Sequence, residues 1–158
     1  LLIISIFSFA QKSYINTIYL NDQDTILFSN CVWSGYADYN MGIVMKNNNF
    51  ICSQDYGNCL SDYCFQIALI GEISAEKFRE NLIELVENED TYWLENENYN
   101  WAKKVAILPN RTYLVRCVPN CGVNYSIIRV QECKKDNNGQ IIRCLLTIDY
   151  HVCEGGCH

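Results

Sequence analysis

The sequence has little of what marks a disordered or a nucleic-acid-binding chain. It contains only two prolines among 158 residues and no low-complexity tract, so intrinsic disorder is not expected. Its formal charge of −6 leaves no overall basic footprint for a phosphate backbone, and we expect no nucleic-acid partner. Apolar residues make up 49% of the chain, which is enough to bury the core of one domain at this length.

Catalytic and metal-binding signatures are also scarce. The chain has two histidines and neither a GxSxG elbow nor an HExxH helix. Asp149 could orient His151 as a general base from the same strand face, which defines an alternative hypothesis of a small secreted hydrolase. Cys153 and Cys157 have a CxxxC spacing, and such thiols pair as disulfides in an oxidising compartment rather than bind zinc. We therefore expect no catalytic residue, no metal and no cofactor.

No apolar run reaches the roughly 20 residues that a membrane-spanning helix needs. The longest is Leu1 to Ala10, and it ends in Ser8-Phe9-Ala10, with small residues at the positions typical of a signal-peptide cleavage site. We predict that residues 1–10 are the remnant of a signal peptide and that residues 11–158 form one extracellular domain. Membrane attachment is expected only through an uncleaved N-terminus.

Cysteine, in contrast, is abundant and even in number. Ten cysteines in a chain that carries a secretion signal favour a framework of disulfides over free thiols. Their spacing leaves the connectivity open. The predicted disulfide residues are Cys31, Cys52, Cys59, Cys64, Cys117, Cys121, Cys133, Cys144, Cys153 and Cys157.

Two sequons agree with passage through the secretory pathway. Asn110-Arg111-Thr112 and Asn124-Tyr125-Ser126 each match the acceptor pattern for N-linked sugar. Asn110 and Asn124 are therefore predicted glycosylation sites.

The order of elements predicts an α+β, β-rich domain of antiparallel sheet with one principal helix over about residues 74–88. Ser74 can cap that helix, and Phe78, Leu82 and Leu85 recur at helical spacing. Runs rich in Ile, Tyr, Val and Thr predict strands on either side of this helix, from Ser13 to Cys153.

The clearest hairpin signal is Asn138-Gly139, since both residues tolerate positive φ. It precedes a strand in which Ile142, Cys144, Leu146, Ile148, Tyr150 and Val152 alternate onto one face. A two-residue turn at Asn138-Gly139 would place Cys133 opposite Cys144, which makes these two cysteines a candidate bridge.

Aromatic residues in polar stretches are the best candidates for a binding surface. Rigid rings give contact area at low entropic cost and suit an extracellular protein or glycan. The alternative is that the rings fold back onto the core. The candidates are Trp33, Tyr36, Tyr92, Trp93, Tyr99 and Trp101.

Charge is unevenly distributed along the chain. Residues 11–100 carry a large acidic excess, whereas residues 101–158 carry eight bases against four acids. The two halves could simply complement each other within one fold. Alternatively, a basic face could meet an acidic partner. That face would be built from Lys103, Lys104, Arg111, Arg116, Arg129 and Arg143.

Together these features predict a secreted, glycosylated, non-enzymatic binding or interaction protein, such as an effector or a surface or matrix component. Two alternatives stay open. One is a structural subunit that self-associates through its sheet edges into an extracellular assembly or filament. The other is the hydrolase that uses His151 and Asp149.

Overall fold

The computed structural model describes residues 14–27, 40–55, 65–74, 76–77, 80, 99–117 and 124–151. Within these ranges the chain forms nine strands. They are β1 (Tyr14–Asn21), β2 (Thr25–Leu27), β3 (Asn40–Lys46), β4 (Asn49–Asp55), β5 (Phe65–Gly71), β6 (Lys104–Ala106), β7 (Arg111–Cys117), β8 (Asn124–Lys135) and β9 (Ile141–His151).

The strands pair into two sheets, and every pairing is antiparallel. The large sheet has the order β1-β9-β8-β7-β5, and the small sheet has the order β2-β3-β4-β6. The β-rich, antiparallel part of the predicted fold is therefore confirmed. Short hairpins connect β3 to β4 and β8 to β9, whereas β1 joins β9 from the opposite end of the chain.

Main-chain hydrogen bonds link the two sheets at both lateral corners. In the turn after β1, the Asp22 N–H donates to Ile142 O at 3.0 Å, and the Gln23 N–H donates to Met45 O at 2.7 Å. This turn therefore contacts both sheets. At the other corner, Ile67 and Ala102 exchange two backbone hydrogen bonds of 2.9 and 3.0 Å. The described strands thus form a two-layered sandwich with linked corners.

The main core lies between the sheets and is filled by inward-facing side chains. At its centre, the rings of Phe50 and Tyr113 meet edge to face with their centroids 5.3 Å apart. The Tyr113 hydroxyl donates to Ala106 O at 2.9 Å and accepts the Leu108 N–H at 2.8 Å. This ring is therefore buried with its polar end satisfied, and it holds the connection between β6 and β7.

A second cluster covers the opposite face of the large sheet. Leu114, Tyr125 and Ile127 are buried there, which means that β7 and β8 are buried on both faces. Such strands lose the simple apolar and polar alternation of a half-exposed sheet. The partly buried residues that pack on this cluster are Ile70, Ile73, Tyr99 and Trp101.

The β3–β4 hairpin turns at two asparagines. Asn47 and Asn48 have φ values of 50° and 60°, and Lys46 pairs with Asn49 across them. Two consecutive positive φ values define the type I′ turn of a two-residue hairpin, in which asparagine is favoured. Asn48 also reaches the large sheet, because its Oδ1 accepts the Ile141 N–H at 2.6 Å.

The predicted principal helix is not seen as an element of the described structure. Of residues 74–88, only Ser74, Glu76, Lys77 and Glu80 are described. The Ser74 Oγ accepts the Lys77 N–H at 3.2 Å, as an N-cap does. The rest of the predicted helix lies outside the described residues.

The predicted disulfide framework is not confirmed. Cys52, Cys133 and Cys144 are the cysteines whose side chains are described, and none of them forms a covalent bridge in the structure. The other predicted disulfide residues lie outside the described side chains.

Candidate binding cleft on the β8–β9 hairpin

The hairpin that carries the candidate site closes around Asp136. The Gly139 N–H donates to Asp136 O at 3.1 Å, and the Asp136 N–H donates to Gln140 O at 2.8 Å. The Asp136 Oδ1 also accepts the N–H groups of Asn138 and Gln140 at 2.9 and 2.8 Å. The chain therefore reverses over a three-residue loop, Asn137 to Gly139.

This loop corrects the predicted two-residue turn at Asn138-Gly139. Gly139 has a φ of 80° and is the one loop residue with positive φ, as expected for a type I turn followed by a left-handed residue. The longer loop shifts the register by one residue. A β-bulge then shifts it back, because Lys135 pairs with Ile141 and Lys134 with Arg143, which leaves Ile142 as the extra residue.

The bulge also corrects the predicted inward face of β9. Ile142 is 37% exposed, whereas its neighbour Ile141 is buried in the core. Beyond the bulge, Cys144, Leu146 and Ile148 point inward as predicted. Because the two irregularities compensate, Cys133 pairs directly with Cys144, and the predicted register at these cysteines is confirmed.

The two cysteine side chains meet at the edge of the main core. Their Sγ atoms lie 2.6 Å apart, and Cys144 is almost fully buried. As thiols they would behave differently. The contact with Cys144 lowers the pKa of Cys133, whereas the same contact and burial raise the pKa of Cys144. Cys133 is thus the more acidic thiol of the pair.

Above this pair, the outer surface of the large sheet forms an open cleft with a volume of about 290 Å³. Its wall on β1 is Tyr19, whose side chain is 60% exposed. The Arg143 guanidinium carbon lies 5.0 Å from the centroid of the Tyr19 ring, a cation–π arrangement. The residues that line the cleft are Tyr19, Glu132, Cys133, Lys134, Arg143, Cys144 and Leu145.

Strand register explains why these side chains converge. Tyr19 pairs with Leu145 on β9, and Leu145 pairs with Glu132 on β8. One step along the same face, Arg143 pairs with Lys134. Tyr19 and Arg143 are therefore diagonal neighbours, which long and aromatic side chains can bridge.

The cleft contains two cations that oppose each other, Lys134 and Arg143, and one acid, Glu132. Lys134 and Arg143 are both exposed, and neither takes part in an ion pair within the described part of the chain. Like charges directly opposite each other in a sheet are destabilising. Sheet stability therefore does not account for this pair.

Two of the predicted aromatic binding residues are placed away from this cleft. Tyr99 and Trp101 lie half-buried on the second cluster, with their rings edge to face and centroids 5.9 Å apart. Burial raises the pKa of the Tyr99 hydroxyl. Both rings pack against the sheet, as the alternative interpretation expects. The candidates Trp33, Tyr36, Tyr92 and Trp93 lie outside the described residues.

Trp101 also covers a buried cation. The Arg116 guanidinium carbon lies 4.4 Å from the centroid of the Trp101 ring, and Arg116 is only 6% exposed. Its Nε and Nη2 donate to Gln66 Oε1 at 3.0 and 2.5 Å. Trp101 and Gln66 thus both stabilise the Arg116 charge, which would be costly to bury without partners.

The hypothesis of one basic face is wrong for Arg116, and two further members contact the segment after β5. Arg116 is buried, Arg111 forms an ion pair of 2.8 Å with Glu72, and Arg129 donates to the carbonyl oxygens of Glu72 and Ile73. Arg143 stays exposed, but its basic neighbour is Lys134, which that hypothesis did not include.

Of the two predicted glycosylation sites, the structure describes the side chain of Asn110 but not that of Asn124. Asn110 is exposed in a turn with a φ of 56°. Thr112 of the same sequon is buried, and its Oγ1 donates to Ile73 O. Asn124 begins β8 opposite Cys117, and its side chain lies outside the described part.

The hypothetical catalytic pair lies far from the cleft along the same hairpin. His151 pairs with Tyr125, and Asp149 pairs with Ile127. His151 is six positions beyond Leu145, which is roughly 20 Å along a strand. The side chains of Asp149 and His151 lie outside the described part, so the structure does not test the hydrolase hypothesis.

Within the described residues, no group of three or more His, Cys, Asp or Glu side chains could hold a metal ion. The same part of the chain contains no helix with the length and apolar character needed to cross a membrane.

Sequence reasoning identified Arg143 and the cysteine pair but missed Tyr19, Glu132 and Lys134. The opposition of Lys134 and Arg143 follows from the same hairpin register that paired the cysteines. Tyr19 had no local signal, because β1 reaches β9 only through the fold. No family model matches the chain, and no curated protein or solved structure shows significant similarity to it.

Proposed function

We propose that this chain is a secreted, disulfide-stapled and glycosylated binding protein without enzymatic activity. The observation that carries the proposal is the placement of the Cys133 and Cys144 sulfur atoms 2.6 Å apart across two paired strands. Formation of this bridge removes two protons and two electrons from the thiols. A protein disulfide donor of the secretory pathway accepts them, and its own disulfide becomes two thiols.

The remaining cysteines support the same compartment. A chain with ten cysteines and an N-terminal segment of signal-peptide character favours an oxidising environment. In this proposal residues 11–158 are the mature domain, and all ten cysteines form disulfides. The principal helix over about residues 74–88 is retained in the proposal, supported by the cap that Ser74 gives to Lys77.

Glycosylation is best supported at Asn110. Its exposure at a turn leaves room for a bulky sugar in the folded protein. The burial of Thr112 is compatible with this, provided that the sugar is added before the sequon folds. Asn124 is the second proposed site.

Binding function is supported by the cleft between Tyr19, Lys134 and Arg143, which combines an exposed ring with unpaired charge. The aromatic candidates Trp33, Tyr36, Tyr92 and Trp93 remain a second proposed contact surface. Partners in this proposal are an extracellular protein or glycan.

The proposal is tested by the intact mass of the protein secreted from a eukaryotic host, before and after deglycosylation and thiol alkylation. We expect a chain that starts at Gln11, takes up no alkylating reagent and carries sugar on Asn110. An Asn110→Gln variant should lose the mass of one glycan, whereas Asn100→Gln, a matched change outside any sequon, should not. Several alkylatable thiols in the native protein would contradict the proposal.

A specific observation favours a second candidate, the self-associating structural subunit. Strand β1 is an edge of the large sheet, and its eight residues, YINTIYLN, include neither charge nor proline. Protected edges usually carry such residues. If β1 pairs with another copy, Thr17→Lys should convert an oligomer to a monomer in sedimentation equilibrium. A protein that is monomeric before this change would contradict the second candidate.

A further inference from the structure

The cleft above the cysteine pair has the chemistry of a site for a small anionic ligand. Resting on the binding role proposed above, we propose that Tyr19, Lys134 and Arg143 bind an acidic saccharide through a sulfate or carboxylate group.

The two cations provide the first argument. Lys134 and Arg143 face each other across β8 and β9 without an ion-pair partner in the described part of the chain. The nearby acids of the β1–β2 turn accept hydrogen bonds from other neighbours: Asp24 accepts from Asn21, and Asp22 Oδ2 accepts from Gln23 and Gln140, while Asp22 Oδ1 has no partner among the described residues. An anion placed between the two cations would relieve their repulsion and accept charge-assisted hydrogen bonds from both.

The backbone around the cations provides the second argument. The β8–β9 pairing has two irregularities, one between Val130 and Glu132 and one between Lys134 and Lys135. They flank the cleft on both sides. Bulges re-aim side chains and are frequent beside functional sites. Here they enclose the segment that presents Glu132 and Lys134 beside Arg143.

The ring of Tyr19 favours a saccharide as the occupant. Arg143 lies over this ring, which fixes the guanidinium while much of the ring stays exposed. An exposed aromatic face can pack against the C–H groups of a sugar, and the Glu132 carboxylate can accept its hydroxyl hydrogens. Glu132 would repel the acidic groups of a peptide and of a saccharide alike, but only the saccharide offers several hydroxyl groups for this carboxylate to accept.

Size and charge set the length of the ligand. A volume of about 290 Å³ lies just below the range of about 300–1,000 Å³ for small-ligand pockets, so this open cleft holds one anionic sugar unit of a longer saccharide. The chain as a whole carries a net charge of −6 and therefore repels long polyanions at distance. These two properties favour a short acidic saccharide over an extended polymer.

The test is titration calorimetry of the secreted protein with a sulfated heparin tetrasaccharide at low salt. The double variant K134Q/R143Q should bind at least tenfold more weakly, since each charge-assisted contact is worth about a factor of ten. Lys104→Gln on the small sheet matches the single variant Lys134→Gln in its charge change and should leave the affinity unchanged, whereas Lys134→Gln should weaken binding. Backbone amide spectra verify that each variant is folded, and the single variant Lys134→Gln provides the same comparison if the double variant is not.

Further arms separate the ligand classes. Tyr19→Leu keeps both charges and should weaken the tetrasaccharide while sparing a hexaglutamate peptide. A desulfated tetrasaccharide distinguishes sulfate from carboxylate recognition. Absence of tetrasaccharide binding, equal binding by K134Q/R143Q, or tighter binding of hexaglutamate would overturn the inference. None of these results would alter the mass measurement that tests secretion and disulfides, so the two proposals fail separately.

Discussion

The Sγ atoms of Cys133 and Cys144 lie 2.6 Å apart on paired strands. This contact lies at the edge of the main core and beneath the outer cleft, so it connects the stability of the sandwich with the surface proposed to bind. A bridge at this position would fasten the β8–β9 hairpin between the two bulges.

A double-mutant cycle tests whether these cysteines act as one bond. Cys133→Ala and Cys144→Ala should each lower the free energy of unfolding by about 3 kcal/mol, the range for removal of a disulfide. The double variant should lose no more than either single variant, because all three lack the same bond. Urea unfolding of the unreduced protein measures the three values. Losses that add would show two independent buried side chains instead.

Replacement of Gly139 by alanine should destabilise the protein more than replacement by asparagine. Its φ is 80°, and a Cβ would have no atom within 4 Å, so the effect of a side chain comes from the backbone alone. Alanine in this left-handed conformation should cost about 1 kcal/mol, whereas asparagine tolerates it better. Thermal unfolding of Gly139→Ala and Gly139→Asn provides the comparison. Equal stability of both variants with the parent would contradict the loop assignment.

Tyr113 should make the protein sensitive to alkali. Burial raises the pKa of its hydroxyl to about 12 from an ordinary value of 10. Between these values the unfolded chain has released the proton and the folded chain still holds it, so stability is present below pH 10 and falls as pH rises toward 12. Urea unfolding at pH 8 and pH 11 measures this loss.

Tyr113→Phe provides the control for that prediction. It leaves the Leu108 N–H and the Ala106 carbonyl without their hydroxyl partner, which should cost about 1–3 kcal/mol at pH 8. Its further loss between pH 8 and pH 11 should be smaller than that of the parent. An identical loss in both proteins would assign the alkaline sensitivity to other tyrosines.

Trp101 should contribute to stability by covering Arg116. Trp101→Ala removes the ring that lies 4.4 Å from the guanidinium carbon and part of the second apolar cluster. We expect a loss of about 2 kcal/mol, below that of a fully buried aromatic residue. Trp101→Phe should recover part of the loss. If Trp101→Ala instead leaves unfolding unchanged and abolishes partner capture, this ring is a binding residue.

Local patterns predicted the elements of this fold better than their arrangement. The β8–β9 hairpin follows from Asn138-Gly139, whose residues tolerate positive φ, and the strand of Cys144 follows from its alternation. The bulge at Ile142 was not predictable, since Ile141 and Ile142 are the same residue type and either one could face the core. Nor was the contact of Tyr19 with Arg143, because it depends on two strands from opposite ends of the chain.

The burial of Arg116 likewise needed the tertiary structure. Its sequence neighbours suggest an exposed base on a strand, and only the packing of Trp101 and Gln66 on the outer face reveals its environment. Most of the predicted helix, cysteines and aromatic residues lie outside the described part, so the structure does not test them and they remain predictions.

The proposed bridge between Cys133 and Cys144 is tested most directly by peptide mapping of the unreduced protein, expressed in a eukaryotic host. Trypsin cleaves after Lys134 and Arg143, which separates the two cysteines into different peptides, and chymotrypsin then separates Cys144 from Cys153 and Cys157. The account predicts a peptide that contains Cys133 linked to one that contains Cys144, released by reduction. Alkylated Cys133 and Cys144 in unlinked peptides, or a link from either one to a different cysteine, would contradict it.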